Sequence, residues 1–399
     1  MPIASVNPAT GEKLKEFSPF NDTEIEKRLS RAEQAFSKYR RTTFSRRSEL
    51  LRGVSELLVQ EKNAFAEIIT LEMGKLFRDS IAEIEKCARG CQFYAENGER
   101  FLEEEPAQTD AAKSYVEYQP LGPVLAIMPW NFPFWQVFRF VAPAFMAGNV
   151  GLLKHASNVP QCALAIENIL CRAGFESGVF QTLLIEPGQV EKLIVDPRVK
   201  AVTVTGSEKA GAAVASTAAR EIKKAVLELG GSDAFIVMPS ADFEGAVNIA
   251  VKARTINTGQ SCIAAKRFII ADEVYEPFLE QFVQRMRALR IGDPMDPQTE
   301  LGPLATEHIL QGVHGQVQKT IAAGAKLLTG GNRIQGPGFF YEPTVLVDVP
   351  KESPAYREEV FGPVAAVFRV RDANEAIEVA NDTAFGLGSS AWTSDRQEQ

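Results

Sequence analysis

Cys262 closes the string Gly259-Gln260-Ser261-Cys262, between a helical pattern and an extended run, where a loop leaves a thiolate open to an electrophilic carbon. A free cysteine is more often a small buried hydrophobe, and Cys87, Cys91, Cys162 and Cys171, on or beside helical segments, read that way. The Asn, Thr, Gly, Gln and Ser that precede Cys262 are unlike a packed core. Glu228 stands at the end of an apolar run, just before Gly230 and Gly231. A glutamate there is ordinarily solvated or salt-bridged; buried in a cleft it would become a general base. Asn131, in Pro129-Trp130-Asn131-Phe132-Pro133, directly follows the run ending at Met128. Its amide can donate to an oxyanion or cap a helix starting near Pro133. Gly206-Ser207 leads from a strand into a helix, offering unpaired N–H groups and a favourable dipole to a pyrophosphate.

Other chemistries find less support. His155, His308 and His314 stand in no His-Glu-x-x-His setting and no Cys-x-x-Cys is present, so no metal site is expected. A Cys-His proteolytic pair stays open by sequence, although His308 and His314 lie on an amphipathic helical pattern and read as surface. Gly74-Lys75 lacks the rest of a P-loop, and no strict Gly-x-Gly-x-x-Gly follows a strand. With 43 Lys and Arg against 51 Asp and Glu, the net charge of -8 argues against a nucleic-acid or anionic-membrane surface. The apolar stretch from Phe132 to Phe145 is too short and too interrupted to span a bilayer, and the start carries no signal-peptide pattern. A reducing, cytoplasmic setting is expected.

These residues need elements to hold them. At 399 residues, two or three domains are expected. Ile3 to Val6 and Lys13 to Phe17 flank a Pro/Gly turn and read as a hairpin. A capping box at Thr23 and Glu26 starts a helix ending near Arg40, and further helical patterns run from Ser45 to Met73 and from Asp79 to Glu96. From Leu121, the apolar runs Val124 to Met128, Val150 to Leu153, Val179 to Leu184 and Val199 to Thr205 alternate with helical segments. That pattern predicts a parallel sheet covered on both faces. A second series begins near Ser232, with strands at Ala234 to Val237, Arg267 to Ile270, Lys326 to Leu328 and Val364 to Val370. Two α/β domains sharing a cleft are expected.

Taken together, PWNFP, LLK, VTGS, LELGG, GQSC and EEVFGPV, in that order over some hundreds of residues, resemble the aldehyde dehydrogenase superfamily. The resemblance implies a Rossmann-type parallel-sheet cofactor domain, residues 1–104 and 121–230, plus an α/β catalytic domain, residues 231–399, with residues 105–120 as an oligomerisation excursion. It implies Cys262 as nucleophile, Glu228 as base, and Asn131 with the Cys262 N–H as oxyanion hole. It assigns Trp130, Lys154, Gly206, Ser207, Glu359 and Phe361 to an NADP or NAD site, and the partner to a small aldehyde, oxidised to a carboxylate through a cysteine thiohemiacetal and thioester.

Two positions refine this. Many NAD-preferring members carry Glu where Ser157 stands; without that carboxylate a 2′-phosphate is tolerated, so NADP is expected to be preferred. Taken alone, Ser157 also reads as a solvated loop serine. Arg139, eight residues after Asn131 on an apolar helix, suits a carboxylate at the far end of the aldehyde, as in the succinate-semialdehyde dehydrogenases that the chain resembles here. It could instead pair with an internal acid. A second arginine found in some of those enzymes corresponds to Ile256 here, which weakens the substrate assignment. The chain also stops at Gln399, where relatives of this type continue for some tens of residues. With the full tail a homodimer or homotetramer is expected, and without it a dinucleotide binder lacking turnover becomes the alternative. An acylating relative using coenzyme A is disfavoured by Glu228.

Overall fold

Apolar strands that alternate with helices can bury both faces only as the inner layer of an α/β sandwich. The computed structural model of the chain describes residues 3–399 and divides into two compact units. The first comprises residues up to Val6, Lys13–Glu72 and Arg78–Leu229; the second comprises Asn7–Glu12, Met73–Phe77 and Gly230–Gln399. The change at Leu229/Gly230 lies within a residue of the boundary read from the sequence, whereas the two short segments 7–12 and 73–77 fell inside residues 1–104 in that reading.

In the first unit, five strands lie in the order Phe180–Thr182, Val150–His155, Pro123–Met128, Ala201–Thr205, Lys224–Glu228. All neighbours are parallel. In chain order this is 3-2-1-4-5, the doubly wound arrangement in which the order reverses beside the first strand. Leu125, Leu152, Leu153 and Val204 are fully buried in the middle of the sheet. The last strand departs from the expected apolar, covered type: Lys224, Val226 and Leu227 are exposed, because it is an edge.

Local chemistry corrects several boundaries. The first helix, Asp22–Tyr39, is capped by Asn21, whose side chain accepts from Glu24 N–H, rather than by Thr23. The expected long helix from Ser45 is two helices, Phe44–Gln60 and Lys62–Met73, broken at Glu61. The hairpin Ile3–Val6 with Lys13–Phe17 forms as expected. Glu105–Pro106 and Tyr115–Val116 make a separate, exposed two-stranded ribbon.

The second unit carries a six-stranded sheet in the order Lys326–Thr329, Thr344–Val347, Val364–Val370, Arg267–Ala271, Ala234–Val237, Ser389–Trp392. Only the first of these runs antiparallel. Phe235, Phe268, Phe278 and Phe282 form the centre of one of its cores. Strands Thr344–Val347 and Ser389–Trp392 and helix Ala373–Asn381 were absent from the sequence reading.

Candidate active site

In the first unit the candidate residues gather at the carboxyl ends of the parallel strands, where the strand order reverses. Pro123–Met128 leads into Trp130 and Asn131; Val150–His155 contains Lys154; Ala201–Thr205 leads into Gly206 and Ser207; and Glu228 ends the edge strand, its carbonyl accepting from Gly206 N–H at 3.0 Å. Asn131 is buried, and its side-chain oxygen accepts from Phe132 N–H at 3.2 Å. It is not the helix cap. The first N–H groups of helix Trp135–Met146, those of Phe134 and Trp135, donate instead to Glu83 Oε1, both at 2.9 Å.

Two groups to which the sequence reading gave no role here fix this loop. Glu83 is one. The other is His155, buried, whose Nε2–H donates to Pro133 O at 2.9 Å while Nδ1 accepts from Ala156 N–H at 2.9 Å. Burial pushes its pKa down to about 4, so the neutral ring ties the Asn131 loop to the next strand. A histidine inside an apolar strand end was the available signal.

Glu228 and Arg139 are brought together: Arg139 Nη2 lies 3.8 Å from Glu228 Oε2 and 3.5 Å from Thr205 Oγ1. Both are half-exposed, at 39% and 42% of the side chain, so within this unit Glu228 takes the solvated, salt-bridged setting ordinary for a strand-end glutamate. They line a cavity of about 410 Å³ with Phe140, Thr205, Lys224 and Val226.

The same strand ends fit a dinucleotide. Ser207 caps helix Glu208–Arg220, its hydroxyl accepting from Ala210 N–H at 3.3 Å, which leaves the first N–H groups of that helix directed outward. Gly211 packs closely on Leu229: a Cβ there would lie 2.5 Å from a Leu229 methyl, which would have to shift. Lys154 is buried, its pKa lowered by desolvation, and no carboxylate pairs with it among the described residues. Ser157 is half-buried just beyond, its carbonyl accepting from Ala4 N–H at 3.0 Å.

In the second unit, Cys262 lies at the amino end of strand Arg267–Ala271 and is partly exposed. Cys87, Cys91 and Cys162 are buried as expected, but Cys171 is exposed, on the outer side of its helix end. The Cys262 loop is strained: Asn257, Thr258 and Gly259 have φ of +51°, +58° and +76°. For a β-branched threonine this costs on the order of 1–3 kcal/mol. Gln260 holds the turn, accepting from Ala305 N–H at 2.8 Å and donating to Asn257 O at 3.2 Å. The fully buried Arg254 donates to Gly259 O and Val364 O at 2.9 and 3.1 Å, and burial pushes its pKa down to about 9.

Glu359 and Lys266 join the same cluster. Glu359 Oε1 accepts from Gly231 N–H at 3.2 Å and pairs with Lys266 Nζ at 3.1 Å. A Cβ at Gly230 would meet Glu359 Oε2 and require that carboxylate to shift. Phe361 is half-buried nearby in the chain. Arg254 and Lys266 were not singled out in the sequence; a lysine inside the apolar run from Ile263 to Ile270 was the signal. His308 is exposed and His314 meets Tyr341 OH at 3.3 Å, so neither joins Cys262. Among the described residues no group of three His, Cys, Asp or Glu could hold a metal ion.

A doubly wound sheet with phosphate-type turns in one unit, and a partly exposed loop thiol in an α/β unit of the same chain, define a dinucleotide-dependent oxidoreductase class. A family model, "Aldehyde dehydrogenase family", matches residues 1–399, and the chain belongs to that family. It is 54% identical over 403 residues to succinate-semialdehyde dehydrogenase [NADP(+)] of Mycobacterium avium, covering 100% of this chain and 85% of that protein. Against succinate-semialdehyde dehydrogenase [NADP(+)] 1 of Mycobacterium tuberculosis the identity is 55% over 404 residues, covering 100% and 88%. Among solved structures, succinic semialdehyde dehydrogenase from Streptococcus pyogenes in complex with NADP+ superposes with a TM-score of 0.96 at 38% identity, covering 99% of this chain and 87% of that one. Lactaldehyde dehydrogenase from Escherichia coli gives 0.96 at 32%, covering 100% and 84%.

Proposed function

We propose that this chain oxidises succinic semialdehyde to succinate with NADP as the preferred acceptor. What carries the reading is the likeness, over the whole chain, to relatives named for that substrate and nucleotide. Arg139 gives it a physical basis: a half-exposed guanidinium on the wall of a cavity suits a substrate carboxylate.

In this reading the Cys262 thiolate attacks the aldehyde carbon, and Asn131 with the Cys262 N–H holds the resulting oxyanion, each donor being worth about 3–4 kcal/mol. The nucleotide, when bound, supplies acceptance of the hydride. Lys154 and Ser157 hold its adenosine end, Gly206 and Ser207 its pyrophosphate, and Glu359, Phe361 and Trp130 its nicotinamide half. Glu228 takes a proton from the water that releases the thioester as carboxylate. No helix among the described residues is long and apolar enough to cross a membrane. The same reading makes the enzyme a cytoplasmic homodimer or homotetramer, with the exposed ribbon around Glu105 and Tyr115 as the surface where copies meet.

Steady-state kinetics of two variants test the specificity. Arg139→Ala should raise KM for succinic semialdehyde by about tenfold or more relative to an uncharged aldehyde of similar length. Taking the ratio cancels any effect that Arg139 has on Glu228. Ser157→Glu should move the NADP-to-NAD ratio of kcat/KM toward NAD by roughly tenfold or more, through repulsion of the 2′-phosphate. Unchanged ratios would remove both assignments and leave the family intact.

A further inference from the structure

The Lys266 ammonium is buried, at 3% exposure, and each of its three protons has an acceptor: Ser261 O at 2.8 Å, Cys262 O at 2.6 Å and Glu359 Oε1 at 3.1 Å. We infer that Lys266 is a positioning residue which ties the ribose-binding carboxylate to the main chain on both sides of the nucleophile, coupling nucleotide loading to the setting of Cys262. This rests on the role of Glu359 given above.

Two features separate this from a simple structural pair. The ammonium shares its surroundings with a second buried cation, Arg254, and a site with two buried like charges is less stable than an apolar one of equal volume. Keeping both is understandable if Glu359 must remain an oriented anion. The second feature is the division of that carboxylate: Oε1 is held by Lys266 and Gly231 N–H, whereas Oε2 accepts no hydrogen bond among the described residues. One oxygen is fixed and the other is presented, as a ribose hydroxyl donor requires.

The arrangement depends on the proton. A neutral amine has two N–H groups for three acceptors and no charge to oppose Glu359. Burial, reinforced by Arg254 and opposed by Glu359 and Asp233, pushes the Lys266 pKa down to about 8. The ordinary lysine value lies higher, so the clasp holds below about pH 8 and loosens as pH rises through it.

The test is NADPH binding by fluorescence titration from pH 7 to 9.5, in a Cys262→Ala background so that the thiol does not titrate. Affinity should fall above about pH 8 with Lys266 present. Lys266→Met should weaken binding roughly tenfold at pH 7 and flatten the profile. Lys266→Arg, permanently charged, should keep most of the affinity and also lose the break, which serves if the methionine variant does not fold. In the enzyme with Cys262 intact, NADP should change the rate of iodoacetamide alkylation at Cys262, and this response should vanish in Lys266→Met. A break that persists in both Lys266 variants, or a Lys266→Met protein with native affinity and a native alkylation response, overturns the inference while leaving the dehydrogenase reading in place. If the protein with Lys266 intact binds no NADPH at any pH, that reading fails, and this inference with it.

Discussion

Cys262→Ala should abolish aldehyde oxidation, lowering kcat by about ten-thousandfold or more, while NADPH still binds. The size of the effect follows from what the residue supplies. Without a covalent thiohemiacetal, hydride would have to leave from a free aldehyde hydrate, and the oxyanion donors would have nothing positioned to act on. The four remaining cysteines offer no substitute nucleophile. Cys87, Cys91 and Cys162 are buried, and burial pushes the Cys91 thiol up to about 12, far from the thiolate form at neutral pH. Cys171 is exposed, but it lies in the last turn of helix Pro160–Arg172, the end opposite the one that follows strand Val150–His155. The measurement is NADPH formation from succinic semialdehyde beside a nucleotide titration of the same protein. Retention of more than a few per cent of the native rate would move the nucleophile elsewhere.

That prediction was available from the sequence because the nucleophile announces itself by its polar neighbours. The surroundings that make it usable were not. Of the left-handed run, Asn257 and Gly259 are residue types that adopt such backbone readily, but the β-branched Thr258 between them is not and signals nothing; bonds made by Gln260, Arg254, Asn257 and Thr258 itself hold the turn. Strand ends in the first unit were legible because parallel strands bind ligands at their carboxyl ends, which directs attention to Asn131 and Gly206. Cys262 and Glu359 lie instead toward the amino ends of strands Arg267–Ala271 and Val364–Val370, where that rule is silent. Glu83 and Lys266 act on atoms far along the chain, such as Phe134 N and Glu359 Oε1, and single-sequence periodicity carries no information about such pairings. The edge strand ending in Glu228 shows the converse failure. The run before Glu228 reads as apolar, but its edge position leaves Val226 and Leu227 exposed.

The setting of Glu228 bears directly on its expected mutant phenotype. Glu228→Gln keeps the size of the side chain and removes its capacity to accept a proton, so it should spare acylation and stop hydrolysis of the thioester. Rapid mixing with succinic semialdehyde and NADP should give a burst of about one NADPH per active site, followed by a steady rate lower by a factor of roughly a hundred to ten thousand. Arg139 sharpens the test. Its guanidinium lies 3.8 Å from Glu228 in a half-exposed cavity, where a pair of this kind is worth no more than about 1 kcal/mol. Loss of that weak pair is too small to account for a hundredfold fall in turnover. A large effect in Glu228→Gln would therefore report proton transfer rather than a displaced arginine. Arg139→Ala, which breaks the same pair from the other side, should leave the burst and the later rate in nearly their native proportion with an uncharged aldehyde. If Glu228→Gln instead slows the burst itself by as much as the steady rate, the carboxylate serves the attack of Cys262, and the base for water must be sought at another residue.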